Sequence, residues 1–213
     1  MNIKTITHGR YKTNTYVVDD GVSGEALLID PTENPEGCIA IADSAGLRIT
    51  AIVSTHSHFD HVGGVAGVKE RLGVPFMIGA QAVESLRQEP ARAHVDGVDI
   101  ADPPEPDRLL KEGDLVDIGG LRFHVLDTPG HWTGDICLYE PSAKAVFTGD
   151  SLHRGEIGRY NKGCNEAELV RSIQTKLMTL PDETVVYSGH GPVTTIGEER
   201  RDNRGLKGLP LLK

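Results

Sequence analysis

The sequence has few aromatic residues, only three cysteines and no long apolar run. Aromatic residues make up 5 % of the 213 residues, and no stretch approaches the roughly 18 apolar residues of a transmembrane helix. The cysteines, Cys38, Cys137 and Cys164, are far apart and form no CxxC pair, which excludes a disulfide framework and indicates small buried or half-buried thiols. Residues 1–18 lack the apolar core of a signal peptide, so a cytoplasmic protein is expected.

Basic residues are also scarce. The chain has 22 Lys and Arg against 31 Asp and Glu, with a formal net charge of -9. This balance argues against a nucleic acid or an anionic membrane as the main partner. It does not exclude a local basic pocket for a small anionic substrate. The expected partner is a small-molecule substrate, and the expected state is a monomer or a small homo-oligomer.

Strand-like and helix-like stretches follow one another in two successive blocks. Residues 14–20 and 25–31 indicate two strands joined by a glycine-rich turn, which predicts a hairpin. Residues 165–180 have the clearest helical spacing, with Asn165 in the N-cap position. Two mixed sheets, each covered by helices on its outer face, would satisfy this order. The predicted class is α+β, in one domain that spans residues 1–213.

Residues 89–108 interrupt this pattern with four prolines and several aspartates. Pro90 is expected to end a short helix over residues 82–89, because proline disfavours the helical conformation in the residue before it. The rest of the segment is predicted to be a loop, and a loop of this length is a candidate cover for a functional site.

Three histidines and an aspartate lie within six residues, directly after an apolar stretch rich in β-branched side chains. They are His56, His58, Asp60 and His61. Three imidazoles so close together are not explained by packing of an apolar core, and burying them without hydrogen-bond partners would be energetically unfavourable. Neutral imidazole and carboxylate are good ligands for Zn, Fe and Mn. The cluster therefore predicts a metal site, although Asp60 taken alone could instead cap the helix that follows.

Three distant residues occur in the same setting as this cluster. His131, Asp150 and His190 each come just after a strand-like run, at a turn that contains glycine. Loops on a rigid scaffold are where functional sites tend to be built, and strand ends at one edge of a sheet can converge. Two cations about 3.5–4 Å apart can activate water for hydrolysis without a serine or cysteine nucleophile. Five histidines and two aspartates are enough ligands for such a pair.

The motif THSHFDH, followed downstream by His131, Asp150 and His190, resembles the metallo-β-lactamase superfamily. The resemblance covers nearly the whole chain and implies a four-layer αββα sandwich. It also implies two divalent metal ions, with zinc expected and iron or manganese as alternatives, and it makes Asp60 the catalytic residue that orients the water. The implied ligands are His56, His58 and His131 for the first ion, Asp60, His61 and His190 for the second, and Asp150 as the bridge.

The segments GDSLHRGEIGR and GHGPVTTIGEER resemble the compact glyoxalase II-like, or hydroxyacylglutathione hydrolase-like, branch. That branch cleaves thioesters between glutathione and a 2-hydroxy acid. The chain ends without the C-terminal helical domain that helps to hold glutathione in full-length members, so weaker glutathione binding or another thiol carrier is expected. The best-known β-lactamases have a cysteine in place of Asp150, which disfavours antibiotic hydrolysis.

Other functions on the same fold stay open at this point. A persulfide dioxygenase would use one iron, on His56, His131 and Asp150 or near equivalents. A lactonase would suit a chain of this length equally well. A binding module with purely structural metals is the non-enzyme alternative.

Residues outside the ligand set would decide the substrate. Arg159 corresponds to the position where the resembled enzymes place a basic residue against the anionic thiol substrate, and Tyr160 beside it is the second candidate substrate contact. Trp132 could form a wall of the pocket or cover the core, and the core position is favoured. Asp135 could orient a ligand histidine or cap a turn. His153 could approach the pocket but is not included in the predicted site.

Overall fold

Two six-stranded sheets face each other in the structure, a computed structural model that describes residues 1–158 and 163–207. The first sheet has, in spatial order, β1 (Asn2–His8), β2 (Thr13–Asp19), β3 (Glu25–Ile29), β4 (Arg48–Ser54), β5 (Phe76–Gly79) and β6 (Arg108–Leu110). The second sheet runs β14, β13, β10, β9, β8, β7, with bounds β7 (Leu115–Ile118), β8 (Leu121–Asp127), β9 (Ile136–Glu140), β10 (Ala145–Gly149), β13 (Val185–Ser188) and β14 (Thr194–Thr195). A small separate hairpin contains β11 (Leu152–His153) and β12 (Glu156–Ile157).

Helices cover the outer face of each sheet. They are α1 (Pro35–Ser44), α2 (Phe59–Val62), α3 (Val65–Leu72), α4 (Val83–Leu86), α5 (Glu89–Val95), α6 (Glu166–Ser172), which continues into a π-helical turn (Ile173–Leu177), and α7 (Ile196–Asp202). Apolar residues of α1 and α3 pack on the first sheet, and those of α6 pack on the second. The four-layer αββα architecture and the α+β class are as predicted from the sequence.

The main core lies between the two sheets. Val18, Leu27 and Val53 from the first sheet meet Phe123 and Phe147 from the second, and none of these side chains is more than 1 % exposed. Alternation along β8 places Leu121, Phe123 and Val125 inside, as the sequence pattern requires of a half-buried strand. This rigid double layer holds the strand ends at fixed positions.

Several strands end at the same edge of the sandwich. In the first sheet β3 and β4 run parallel, and in the second sheet β10 and β13 run parallel. Strand β8 is separated from β10 by one antiparallel strand, β9, so it also ends at that edge. Because the candidate ligands follow β4, β8, β10 and β13, this topology brings them together.

The local predictions were mostly right, with one clear error. Strands β2 and β3 form the expected antiparallel hairpin, and the Asn165 side chain accepts a hydrogen bond from the Glu168 amide as the N-cap of α6. Residues 89–108 are not all loop, because α5 begins at Glu89 and contains Pro90 in its first turn. Proline is tolerated there, since the first N–H groups of a helix have no intrahelical partner.

The N-terminal strand β1 and the last helix α7 lacked a distinct sequence signal. Strand β1 pairs along its whole length with β2 at the edge of the first sheet. All of its side chains are half-buried or exposed, so its sequence shows little alternation between apolar and polar residues. Within the described ranges, no helix combines the length and the apolar character needed to cross a membrane.

Candidate metal centre

The loop after β4 presents the histidine cluster to the edge of the sandwich. His56 and His58 lie in the short segment between β4 and the one-turn helix α2, while Asp60 and His61 are successive residues of α2. The Ser54 hydroxyl donates to the His61 carbonyl, which closes the loop on itself. Except for the half-buried His58, these side chains are buried. The strand-then-helix geometry therefore lets four adjacent residues face one point.

The first group of donor atoms contains His56, His58, His131 and Asp150. His58 Nδ1 lies 3.0 Å from His56 Nε2 and 3.1 Å from His131 Nε2. His131 Nε2 lies 3.5 Å from Asp150 Oδ2. Two ligands of one tetrahedral zinc ion, each about 2.0–2.1 Å from it, are separated by about 3.4 Å. The spacing fits donors that share a single cation.

The second group contains Asp60, His61 and His190. The Nε2 atoms of His61 and His190 each lie 3.5 Å from Asp60 Oδ2. Asp150 also reaches this group, because its Oδ1 lies 3.5 Å from His61 Nε2 and its Oδ2 lies 3.3 Å from His190 Nε2. A carboxylate between the two groups can bridge a pair of cations, so all seven residues predicted from the sequence meet in one place.

Hydrogen bonds on the far side of the rings orient four of the five imidazoles. A carbonyl or carboxylate oxygen can only accept, so in the neutral imidazole that binds a metal ion the ring nitrogen facing this oxygen carries the proton and the other nitrogen has the lone pair. That lone pair points into the centre, as a metal ligand requires. The Nδ1 atom of His131 lies 2.9 Å from the Gly158 carbonyl oxygen, and that of His190 lies 3.0 Å from the Tyr11 carbonyl oxygen. The Nδ1 atom of His61 lies 2.9 Å from the Asp30 carboxylate, and that of His56 lies 3.1 Å from the Thr55 hydroxyl.

Asp30, at the end of β3, was missed in the sequence. It is 1 % exposed and accepts hydrogen bonds from the Thr55 amide, the Thr55 hydroxyl and His61 Nδ1. Because the Thr55 hydroxyl donates to Asp30, it is free to accept from His56 Nδ1. Asp30 therefore fixes the rings of two ligands, one in each group. Its signal was weak: an aspartate before a proline at a strand end is typical of a turn.

Asp60 is held by a hydroxyl group rather than by a helix-capping contact. Thr13 Oγ1, at the start of β2, donates to Asp60 Oδ2 at 2.6 Å, and Thr13 is fully buried. The N-cap position of α2 is occupied by His58, without a side-chain capping bond. The capping alternative for Asp60 is thus wrong, and its carboxylate faces His61 and His190.

The charges in the site are strongly coupled. Burial lowers the pKa values of His56 and His58 well below the usual value. Burial also acts to lower the pKa of His61, but the neighbouring carboxylates, Asp60 first and then Asp150, outweigh it and raise that pKa to about 10. Conversely, burial would raise the pKa of Asp150, yet His61 and His190 hold it well below its usual range. Buried carboxylates of this kind need a positive partner, which a bound cation supplies.

His153 lies closer to the centre than the sequence indicated. Its Nε2 is 3.2 Å from Asp150 Oδ1, and its ring centroid is 5.7 Å from that of His190. Gly189 explains part of this close packing, because a Cβ at that position would lie 2.3 Å from Asp150 Oδ1. The bridging carboxylate is thus enclosed by an imidazole on one side and by bare backbone on another.

Trp132 forms a wall of the site. The favoured prediction, that it covers the core, is wrong. Trp132 is half-buried, and its ring centroid lies 4.6 Å from that of His58. The guanidinium carbon of Arg92, in helix α5, also lies 4.6 Å from the Trp132 ring centroid. Asp135 caps the local turn, since its Oδ2 accepts from the Trp132 amide at 2.6 Å.

Arg159 and Tyr160, the candidate substrate residues, lie outside the described residues. Their assignment stays a prediction.

Comparisons with known proteins agree with this geometry. The model of the metallo-beta-lactamase superfamily matches residues 8–190. The chain is 39 % identical to an uncharacterised protein of Aquifex aeolicus, over 95 % of this chain and 96 % of the relative. It is 35 % identical to hydroxyacylglutathione hydrolase GloC of Haemophilus influenzae, over 95 % of this chain and 97 % of the relative.

Solved structures give the same fold. BLEG-1 B3 metallo-beta-lactamase superposes with a TM-score of 0.89 at 35 % identity, covering 97 % of this chain and 100 % of the other. TTHA1623, solved in a di-iron-bound form, gives 0.86 at 39 % identity, covering 94 % and 98 %. ETHE1 from Myxococcus xanthus gives 0.79 at 30 % identity, covering 96 % and 84 %. The di-iron neighbour and the clustered ligands together support a dinuclear metal site.

Proposed function

Because the chain belongs to the metallo-beta-lactamase superfamily, whose members are largely metal-dependent hydrolases, we propose that it hydrolyses acyl thioesters in the manner of glyoxalase II, with S-2-hydroxyacylglutathione as the model substrate. The observation that carries the proposal is the convergence of two ligand groups on Asp150. Such a centre performs hydrolysis without a nucleophilic side chain. Two zinc ions are the proposed cofactors, with iron or manganese as alternatives.

The bound cations would supply a hydroxide at neutral pH and polarise the thioester carbonyl. His56, His58 and His131 would hold one ion, and the other donors would hold its neighbour, with Asp150 shared. The chain's own residues fix this arrangement before substrate arrives, since the far nitrogens of four rings are already bonded to oxygen.

Asp60 is the proposed catalytic residue. Its Oδ2 is held by the Thr13 hydroxyl, which leaves the second oxygen able to orient the attacking water and to accept its proton. The leaving thiolate needs little protonation, because thiols are far more acidic than alcohols.

The choice of thioester rests on the compact relative. Haemophilus influenzae GloC, named a hydroxyacylglutathione hydrolase, matches this chain over 97 % of its own length. A chain of this size is therefore compatible with that activity.

The proposal is tested by measuring metal content and hydrolysis together. The purified protein is loaded with Zn, Fe or Mn, its metal stoichiometry is measured, and cleavage of S-lactoylglutathione is compared with that of a lactone and a chromogenic cephalosporin. We expect about two metal ions per chain and the highest kcat/KM on the thioester. The isosteric variant Asp150→Asn should lose the second ion and most of the activity. Protein with two ions per chain that cleaves no acyl thioester would refute the proposal.

A persulfide dioxygenase is the second candidate. It is favoured by the similarity to ETHE1 and by the contact of His131 with Asp150 in one group that also contains His56. Oxygen consumption on glutathione persulfide by iron-loaded protein with one ion per chain would support it over the hydrolase.

A further inference from the structure

Helix α5 crosses the rim of the metal centre and is fastened at both ends. At its start the fully buried Glu89 accepts a hydrogen bond from the Phe59 amide at 3.0 Å, between the candidate ligands His58 and Asp60. Just past its end, Asp96 accepts a hydrogen bond from the Tyr11 hydroxyl at 3.0 Å. The backbone carbonyl of the same Tyr11 faces His190 Nδ1. The helix therefore keeps a fixed position relative to both ligand groups.

Arg92 is the cation that this helix brings to the site. Its Nη1 donates to Glu89 and its Nη2 donates to Gln88 at 3.0 Å. A guanidinium has five N–H donors, so two internal bonds still allow it to bind a ligand. The side chain is 37 % exposed, which lets a solute reach it.

Trp132 connects Arg92 to the metal centre. The guanidinium carbon lies 4.6 Å from the Trp132 ring centroid, and that centroid lies 4.6 Å from the His58 ring. These two distances place the guanidinium within about 9 Å of a candidate metal ligand. A guanidinium held over an aromatic ring is suited to a planar carboxylate, which it can bind through two parallel hydrogen bonds.

We propose that Arg92 is the specificity-determining residue that binds a carboxylate on the thiol portion of the substrate, with Trp132 packing against the chain between that carboxylate and the thioester. This inference rests on the thioester hydrolase function proposed above and assigns the residue that would select thiols bearing a carboxylate. We assign the carboxylate to the thiol portion of the substrate and not to the acyl portion, because the acyl group of a thioester such as S-lactoylglutathione carries no charged group.

The test compares a charged thioester with a neutral one. S-Lactoylglutathione carries carboxylates on its thiol portion, whereas S-lactoyl-N-acetylcysteamine carries none. In Arg92→Gln, kcat/KM for S-lactoylglutathione should fall about 10- to 100-fold, mainly through KM, as expected for a lost charge-assisted bond. The neutral thioester should change less than about twofold. Arg92→Lys should be intermediate, because it keeps the charge without the planar fork.

Arg87→Gln is the matched control. Arg87 lies at the end of α4, is paired with Glu105, and has a 57 % exposed side chain. This variant should leave kcat/KM for both thioesters unchanged.

A second readout is independent of catalysis. Trp132 is the single tryptophan of the chain, so its fluorescence reports on this wall alone. S-Methylglutathione, which cannot be hydrolysed, should change the fluorescence with a saturable curve, and Arg92→Gln should raise its Kd about tenfold or more. Circular dichroism establishes that the variants are folded.

The outcomes separate the two proposals. Equal loss on the charged and the neutral thioester in Arg92→Gln, or no loss on either, would overturn the role of Arg92 and leave the hydrolase function standing. If the wild-type protein cleaves neither thioester, the hydrolase function fails, while the fluorescence titration still decides whether Arg92 binds the carboxylate ligand.

Discussion

Replacing Asp30 with Asn tests whether the hydrogen bonds to the outer nitrogens of the ligand imidazoles orient these rings for metal binding. The Asp30 carboxylate accepts three hydrogen bonds, two from Thr55 and one from His61 Nδ1. An Asn has one acceptor oxygen and one NH₂ group. If the NH₂ group faces His61, it forces the proton onto Nε2 and removes the lone pair that would bind the second ion.

The expected magnitude follows from these contacts. Loss of an oriented ligand partner weakens metal binding about 10- to 100-fold, or about 1.4–2.7 kcal/mol. One buried donor left without an acceptor costs about 2 kcal/mol of folding free energy, which lowers Tm by about 4–8 °C in a chain of this size. Asp30 has a left-handed φ of 52°, and Asn tolerates this region as well as Asp does. The variant therefore changes the hydrogen bonds without adding backbone strain.

The assay is zinc competition against a chromogenic chelator, which resolves two binding steps. Asp30→Asn should weaken the step that involves His61, whereas Thr55→Val, which removes the acceptor behind His56, should weaken the other step more. Asp117→Asn, in an exposed pair with Arg122, is the control and should change neither. Two unaltered dissociation constants in folded Asp30→Asn protein would refute the orientation argument.

Three further predictions concern the same structure. Gly189→Ala should reduce metal loading to about one ion per chain or less, because the added methyl group would lie 2.3 Å from an oxygen of Asp150; two ions per chain by elemental analysis would contradict this. His153→Phe removes the ring nitrogen 3.2 Å from Asp150 Oδ1 and should weaken metal binding about tenfold, and unchanged zinc competition would exclude a positioning role. Burial raises the pKa values of two of the three cysteine thiols to about 12, so an aromatic disulfide reagent at pH 8 should titrate one fast thiol, the half-buried Cys164. Cys164→Ser should abolish that fast phase, and a remaining fast thiol would show that a core cysteine is accessible.

The predictable part of the site is the part in which donor atoms are adjacent in sequence or follow a strand. His56, His58 and His61 are recognisable because three imidazoles in six residues have no packing explanation. Asp150 and His190 are recognisable because each follows a strand-like run at a glycine turn. The fold was predicted from other information: the order of strand-like and helix-like stretches indicated two covered sheets, and the family resemblance implied their four-layer arrangement.

The residues behind the ligands could not be predicted in this way. Asp30 has the same position relative to its strand as the ligands have to theirs, but one aspartate before a proline is also typical of an ordinary turn. Its role depends on the parallel pairing of β3 with β4, which places the carboxylate against the Thr55 amide. Such pairing is a long-range property, and it leaves no local mark on the sequence.

The rim of the site was predicted least well, for a related physical reason. Ligands must be held within a fraction of an ångström, so they lie on rigid strand ends whose pattern is regular. Residues that select a substrate act at longer range and can lie on short elements with irregular sequences, such as α5, where Pro90 concealed a helix. Arg92 contacts Trp132 across 40 positions of chain, a relation that no spacing rule contains. If the Arg92 experiments succeed, the chemistry of this protein is determined by its strand ends and its substrate by one short helix laid across them.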